Sequence, residues 1–196
     1  MSLGEVWLEA TVTALVPLAN PARAAPMAAY MKAVAPFLGI STPMCRSALA
    51  AAWKPLPPLA EPEVVAVAEV LITTKPSWDT VDAVGSAVVT PLVARNPDLV
   101  DLMWRWLLSG DRWLVRAALQ HQRGRKERTD LERLFAMCDE VASDREFFIA
   151  KAVGWALRDV TNWDPRTVQS FVDDHPYLST VARREAAKGL ARSVRP

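Results

Sequence analysis

The chain has 196 residues, 51% hydrophobic and 23% charged, with a formal net charge of +1. One domain is the default for this length, and an elongated repeat array is the main rival. Two Cys (Cys45, Cys138) and two His (His121, His175) make no metal-ligand spacing, which argues against a zinc site or a His-based triad. Both cysteines fall in apolar helical patterns and read as buried thiols of a reducing compartment. Residues 1–100 carry 6 basic and 8 acidic side chains, and residues 101–196 carry 17 and 14. A balance this even announces no nucleic-acid binder, so any such function must rest on local clustering. No apolar run reaches the 18 or so residues that span a bilayer, and the N-terminus lacks the pattern of a signal peptide.

Helical periodicity with start and stop signals runs almost throughout, and no useful stretch alternates with period two. A first helix is predicted from Glu5 to about Val16, ended by Pro17. Pro21 opens a second, to about Val34, with Pro26 awkwardly early in it. Pro36 to Ile40 reads as a connector and Pro43 to Trp53 as a third helix. Residues 54–62 hold four prolines, a rigid break that cannot be helical through its middle. Pro62 begins a helix to about Thr73, and Ser77 caps one that carries Trp78 and Asp82 and runs to about Arg95.

The second half is more regular. Asn96-Pro97 starts a helix that Gly110 stops, and Asp111 caps another that ends before Gly124. Thr129 with Glu132, and Ser143 with Glu146, have capping-box spacing. Asp164-Pro165 opens the next helix and Ser179 caps the last. Loops of two to five residues imply antiparallel helix pairs. Within them Ser109-Gly110-Asp111-Arg112 returns as Ala142-Ser143-Asp144-Arg145, and Arg116-Ala117-Ala118 returns as Lys151-Ala152-Val153 and Arg184-Glu185-Ala186. Such periods predict an all-α fold, a right-handed solenoid of antiparallel helix pairs. Stacked pairs would align Arg116, Lys151 and Arg184 as a basic stripe on one wall, unless each merely covers apolar surface with its stem.

Trp78 and Asp82 stand one helical turn apart on one face, an aromatic ring beside a carboxylate that suits a developing positive charge. The plainer reading is a packing staple and a solvated acid. Trp155 follows Lys151 by four residues, behind Gly154, and reads either as core or as an exposed ring on the basic wall. Arg123 and Lys126 belong to a basic loop suited to phosphate. Trp104, Trp106 and Trp113 sit at apolar positions. No phosphate-cradling Gly-rich loop, dinucleotide fingerprint, metal-ligand cluster or nucleophile elbow is present.

Several segments together resemble a known family. Ile72-Thr73-Thr74-Lys75, Trp78-Asp79-Thr80-Val81-Asp82, Trp113-Leu114-Val115-Arg116 with His121-Gln122, and Lys126-Glu127-Arg128-Thr129-Asp130 are similar to the DNA alkylation repair glycosylases built from HEAT-like repeats, the AlkD type. Glu146-Phe147-Phe148-Ile149 running into Lys151-Ala152-Val153-Gly154-Trp155-Ala156-Leu157-Arg158 is the best match. The resemblance covers nearly the whole chain, in order.

It implies one HEAT-like-repeat domain over residues 1–196 with a concave DNA-binding face. It also implies hydrolysis of the N-glycosidic bond of cationic alkylated purines, 3-methyladenine and 7-methylguanine, in duplex DNA. Asp82, Trp78 and Trp155 would be catalytic, and Arg116, Lys151, Arg184, Arg123 and Lys126 would contact DNA. The reaction needs no cofactor or metal, and the protein is expected to act as a monomer in the cytoplasm, at the nucleoid. Relatives carry one further helix pair where residues 54–62 stand here, and Pro76-Ser77 replace a Ser-Trp. Two other readings stay open: a non-catalytic binder of DNA structures, and a protein-binding helical scaffold.

Overall fold

The computed structural model describes residues 3–31, 36–55, 61–74 and 76–193. Lys75 and most of the expected break at 54–62 lie outside them, as does any helix beyond Met31 before Pro36. The described residues hold helices and turns and no strand. None of these helices is long and apolar enough to cross a membrane. The chain forms two compact units, Met1–Val67 and Ala68–Pro196.

The first unit contains α1 (Leu3–Leu15), α2 (Pro21–Met31) and α3 (Thr42–Trp53), with α1 packed on α3. Pro17 ends α1 as expected, through a 3₁₀ turn at Val16–Leu18. Pro26 is tolerated inside α2 because it lies on an exposed face, where water can take the carbonyl it leaves unpaired. The Pro36–Ile40 connector folds back on the start of α2, the Asn20 amide donating to the Leu38 carbonyl at 2.7 Å. α4 (Glu61–Thr73) follows, and its Ala68 and Ile72 are buried in the core of the second unit.

The second unit begins with α5 (Trp78–Val84) and α6 (Thr90–Arg95). The pattern predicts one continuous α-helix here. Instead a π-helical segment, Gly85–Val89, joins the two, and the Thr90 amide donates to the Gly85 carbonyl five residues back. Pro91 explains the widening. It has no N–H for the carbonyl four residues earlier, and its ring crowds that carbonyl in an α-turn.

Three helix pairs complete the unit: α7 (Val100–Leu107) with α8 (Arg112–Leu119), α9 (Leu131–Glu140) with α10 (Phe147–Val160), and α11 (Pro165–Asp174) with α12 (Thr180–Ser193). The second members pack side by side, α8 on α10 and α10 on α12. Successive pairs are stitched at their loops, where the Ser179 amide donates to the Ala142 carbonyl at 2.9 Å. This all-helical stack of pairs is the solenoid-like arrangement that the repeat implies.

Capping follows the predicted positions in part. Asp111, Asp164 and Ser179 cap α8, α11 and α12 through side-chain oxygens. The two capping boxes are displaced. Asp130, not Thr129, accepts the Arg133 amide to cap α9. At α10 the helix starts three residues later than the Ser143 box implies. Asp144 instead accepts the Glu146 amide, and the Glu146 carboxylate caps the Phe148 and Ile149 amides at 2.6 and 2.9 Å. A carboxylate reaching its own helix start leaves nothing for Ser143 to do.

The core runs through both rows of helices. Trp106 and Trp113 are buried in it, and Trp104 packs against it half-buried. Cys138 is fully buried, which pushes its thiol up to about 12, whereas Cys45 is only half-buried. Glycine fixes the closeness of α10 and α12. A Cβ at Gly154 would meet the Glu185 Cβ at 2.5 Å and the Ala182 carbonyl oxygen at 2.8 Å. We expect Gly154→Ala to destabilise the protein by about 1–3 kcal/mol in denaturant titration, because overpacking exceeds the roughly 1 kcal/mol of helix propensity it gains.

His121 is buried in the turn after α8, its Nδ1–H donating to the Ala118 carbonyl at 2.6 Å. Burial chiefly, with Arg133 and Arg125 nearby, lowers its pKa to about 4. The folded state therefore binds fewer protons than the unfolded chain between pH 6.5 and about 4, and stability falls as pH is lowered through that window. The full effect is roughly 3 kcal/mol. Urea titrations across it should show that slope in the wild type and a shallower one in His121→Leu.

Candidate nucleic-acid interface and carboxylate site

The site lies wholly within the second unit. Asp82 is one turn into α5, with its backbone carbonyl taken by the Ser86 hydroxyl at 2.7 Å. Its carboxylate faces α8, and Arg116 meets it there in a two-pronged pair. Nε donates to Oδ1 and Nη2 to Oδ2, each at 2.8 Å. Gln120, one turn further along α8, adds a third donor to Oδ1 at 3.0 Å. The Arg116 Nη1 donates across to the Phe148 carbonyl at the start of α10, at 3.1 Å.

Burial differs between the partners. The Arg116 side chain is 2% exposed, whereas that of Asp82 is 15% exposed. A guanidinium cannot shed its charge, so burying it requires the carboxylate and the carbonyl. Three of about four lone-pair positions on Asp82 are then occupied, and the carboxylate borders a shallow cleft also lined by Ser86, Gln120 and Arg123. The pair is a fixed acid that still touches the surface.

The expectation that Arg116 reaches a phosphate is not how this structure places it. Its donors are committed inward, to Asp82 and to the main chain of α10. Sequence spacing puts Arg116 on the right helix but carries no information about burial.

Trp155 is the second centre. It is half-buried on α10, and four cations lie near its ring. The Arg116 Cζ stands 4.9 Å from the centroid, the Arg123 Cζ 5.3 Å, the Lys151 Nζ 5.4 Å and the Arg158 Cζ 5.6 Å. Arg123 also donates to the Gln120 Oε1 at 3.2 Å, linking this cluster to the Asp82 group. Such cation–ring contacts are each worth about 0.5–2 kcal/mol, more where water is excluded.

The other residues singled out from the sequence scatter. Trp78 starts α5 and is half-buried against the core, one turn before Asp82. Lys126 is exposed in a 3₁₀ turn, Lys126–Arg128, of the loop after α8. Arg184 is exposed on α12 and is not the third member of an aligned stripe. That register belongs to Glu185, the residue that Lys151 meets at 3.1 Å. One residue along a helix is about 100° of rotation, so a one-residue slip in the repeat changes which face is meant.

Sequence reading missed Gln120, Glu185 and the engagement of Arg158. Gln120 had a signal, four residues after Arg116 on the same helical face. Glu185 had one in the repeat itself, 34 residues after Lys151, but a glutamate that directly follows two arginines, Arg183 and Arg184, reads as surface.

An all-helical stack of pairs that presents a clamped surface carboxylate beside a cation-ringed indole defines a class, helical-repeat proteins with a basic, acid-bearing face. A sequence profile of the DNA alkylation repair enzyme family matches residues 11–71 and 54–190, and the chain belongs to that family. The fold is similar to that of a solved "Predicted DNA alkylation repair enzyme from Enterococcus faecalis", with a TM-score of 0.75 and 27% identity, over 89% of this chain and 97% of that one. Comparison with curated protein sequences gives no match.

Removing Arg116 would strand Asp82 against a cavity. We expect Arg116→Ala to lose about 3–5 kcal/mol of unfolding free energy in denaturant titration, with Arg116→Lys intermediate because an ammonium cannot make the paired contact.

Proposed function

We propose that the chain is a monofunctional DNA glycosylase that releases cationic alkylated purines, such as 3-methyladenine and 7-methylguanine, from duplex DNA. Membership of the DNA alkylation repair enzyme family supports a DNA repair role. The single observation that carries the finer reading is the Asp82 carboxylate, held by three hydrogen bonds yet open at its edge beside a basic, indole-bearing surface.

The chemistry asks little of the leaving group. An N-alkylated purine already bears positive charge and departs neutral, so no general acid is needed. The sugar is what must be stabilised, because it becomes oxocarbenium-like as the bond breaks. A carboxylate fixed in advance stabilises that charge without reorganising, and it orients the attacking water. In this reading Asp82 is the catalytic residue, and Arg116 with Gln120 aims it. Arg116 is thus a positioning residue rather than a phosphate clamp.

Trp155 and Trp78 offer ring faces that favour a cationic sugar over a neutral one. Arg123, Lys151 and Lys126 hold the phosphates that flank the lesion, so binding weakens steeply with salt. The reaction runs on a monomer without cofactor, and access to the sugar comes from the backbone side.

The test is release of 7-methylguanine from methylated duplex by wild type and by Asp82→Asn. The amide keeps the shape and loses the charge. We expect the single-turnover rate to fall about 100-fold or more, with duplex affinity equal or tighter. Release that is unchanged by the substitution removes Asp82 from the reaction. No release by wild type removes the glycosylase reading.

A further inference from the structure

We infer that Glu185 is a positioning residue for the basic wall, a buried carboxylate on α12 that sets where Lys151 and Arg158 stand around Trp155. Its side chain is 1% exposed, yet it meets three cations. Oε1 accepts from the Lys151 Nζ at 3.1 Å and from the Lys188 Nζ at 2.7 Å, and Oε2 accepts from the Arg158 Nη1 at 2.9 Å.

Two of those cations, Lys151 and Arg158, are the ones that flank Trp155 in sequence, at four residues before and three after. Both also lie within 5.6 Å of its ring centroid. Each is therefore gripped from two sides, by the indole and by Glu185. Without the anion, like charges gathered at one ring would repel, and long flexible stems would let them spread into water.

The backbone is built for this reach. Gly154, beside Trp155, has no Cβ, and the space a Cβ would take is filled by Glu185 and Ala182 of α12. At the far end of the same contact, a Cβ on Gly189 would meet the Thr161 hydroxyl at 2.2 Å and the Arg158 Cγ at 2.8 Å. The helices therefore approach closely enough for a glutamate on one to pass beneath the lysine and arginine of the other. Burial opposes ionisation of Glu185, but hydrogen bonds from Lys188 and Lys151 outweigh it and hold the carboxyl down at about 2.

This inference rests on the proposal that the basic wall meets DNA, and it gives an opposite sign to simple electrostatics. Removing a negative charge from a DNA-binding face should tighten binding. If Glu185 positions the cations, removing it should loosen binding instead. The experiment measures equilibrium binding of unmodified duplex, with its salt dependence, for wild type, Glu185→Gln, Glu185→Asp and the pair Lys151→Met/Arg158→Met with and without Glu185→Gln.

We expect Glu185→Gln to bind about 10-fold more weakly, with Glu185→Asp between it and wild type, and no further loss when Glu185→Gln is added to the Lys151/Arg158 double variant. Affinity that is unchanged or tighter in folded Glu185→Gln overturns the inference, as does a loss that adds in full to that of the double variant. If Glu185→Gln does not fold, the wild type decides. The side-chain carboxyl ¹³C shift of Glu185 should stay flat down to about pH 3.5, and a midpoint in the ordinary glutamate range overturns the assignment. Release of 7-methylguanine is scored separately. Weakened binding without any base release by wild type keeps Glu185 as positioning residue and removes the glycosylase reading, while a wild type that does not bind duplex overturns both.

Discussion

Neither Arg116 nor Asp82 could hold its place alone. A guanidinium with 2% exposure must be paired, and the carboxylate that pairs it comes from a helix 34 residues earlier in the chain. The pair fastens α5 to α8, and the third arm of the guanidinium, at the Phe148 carbonyl, fastens α8 to α10. One side chain thereby ties three helices of the second unit together at the point where the acid meets the surface. Buried ion pairs contribute little net stability compared with apolar packing. What this one contributes is direction, an acid whose orientation is fixed before anything binds.

The same economy appears one layer further along. The wall around Trp155 gathers positive charge that would repel itself in isolation. Glu185 on α12 lies beneath it, under Lys151 and Arg158, while Asp82 on α5 neutralises the buried Arg116 from the side that meets the surface. Of the four cations around the ring, the exposed one, Arg123, is the one without a carboxylate partner among the described contacts. A chain with a net charge of +1 can in this way present a locally basic face, because one compensating acid, Glu185, is folded underneath and another, Asp82, is committed to a buried arginine.

Much of the fold was legible because helix starts are chemical. Asp111, Asp164 and Ser179 announce themselves by a side-chain oxygen placed to accept an orphan amide, and they do so in the structure. The second-half pairs were readable from turn residues and the returning Ser-Gly-Asp-Arg pattern. The capping boxes at Thr129 and Ser143 failed because a carboxylate further along starts each helix later, Asp130 at the Arg133 amide and Glu146 at the Phe148 and Ile149 amides. Of the site, residue types and helices were readable, since Asp82, Arg116 and Trp155 do come together. Depth was not. Nothing in the spacing of Arg116 says that it faces inward, and nothing in Arg184-Glu185 says which of the two sits on the wall. Those facts depend on helix rotation and on the approach that Gly154 permits.

The widened turn at Gly85–Val89 sets the rotational phase between Asp82 and everything downstream of Pro91. An α-helix advances about 100° per residue and a widened turn less, so winding these same residues as ordinary α-helix would turn α5 by tens of degrees relative to α6. The acid would then sweep away from the groove between α5 and α8. The winding of this stretch is therefore as much a part of the site as the identity of residue 82, and the acid's aim can be lost with every side chain of the site intact.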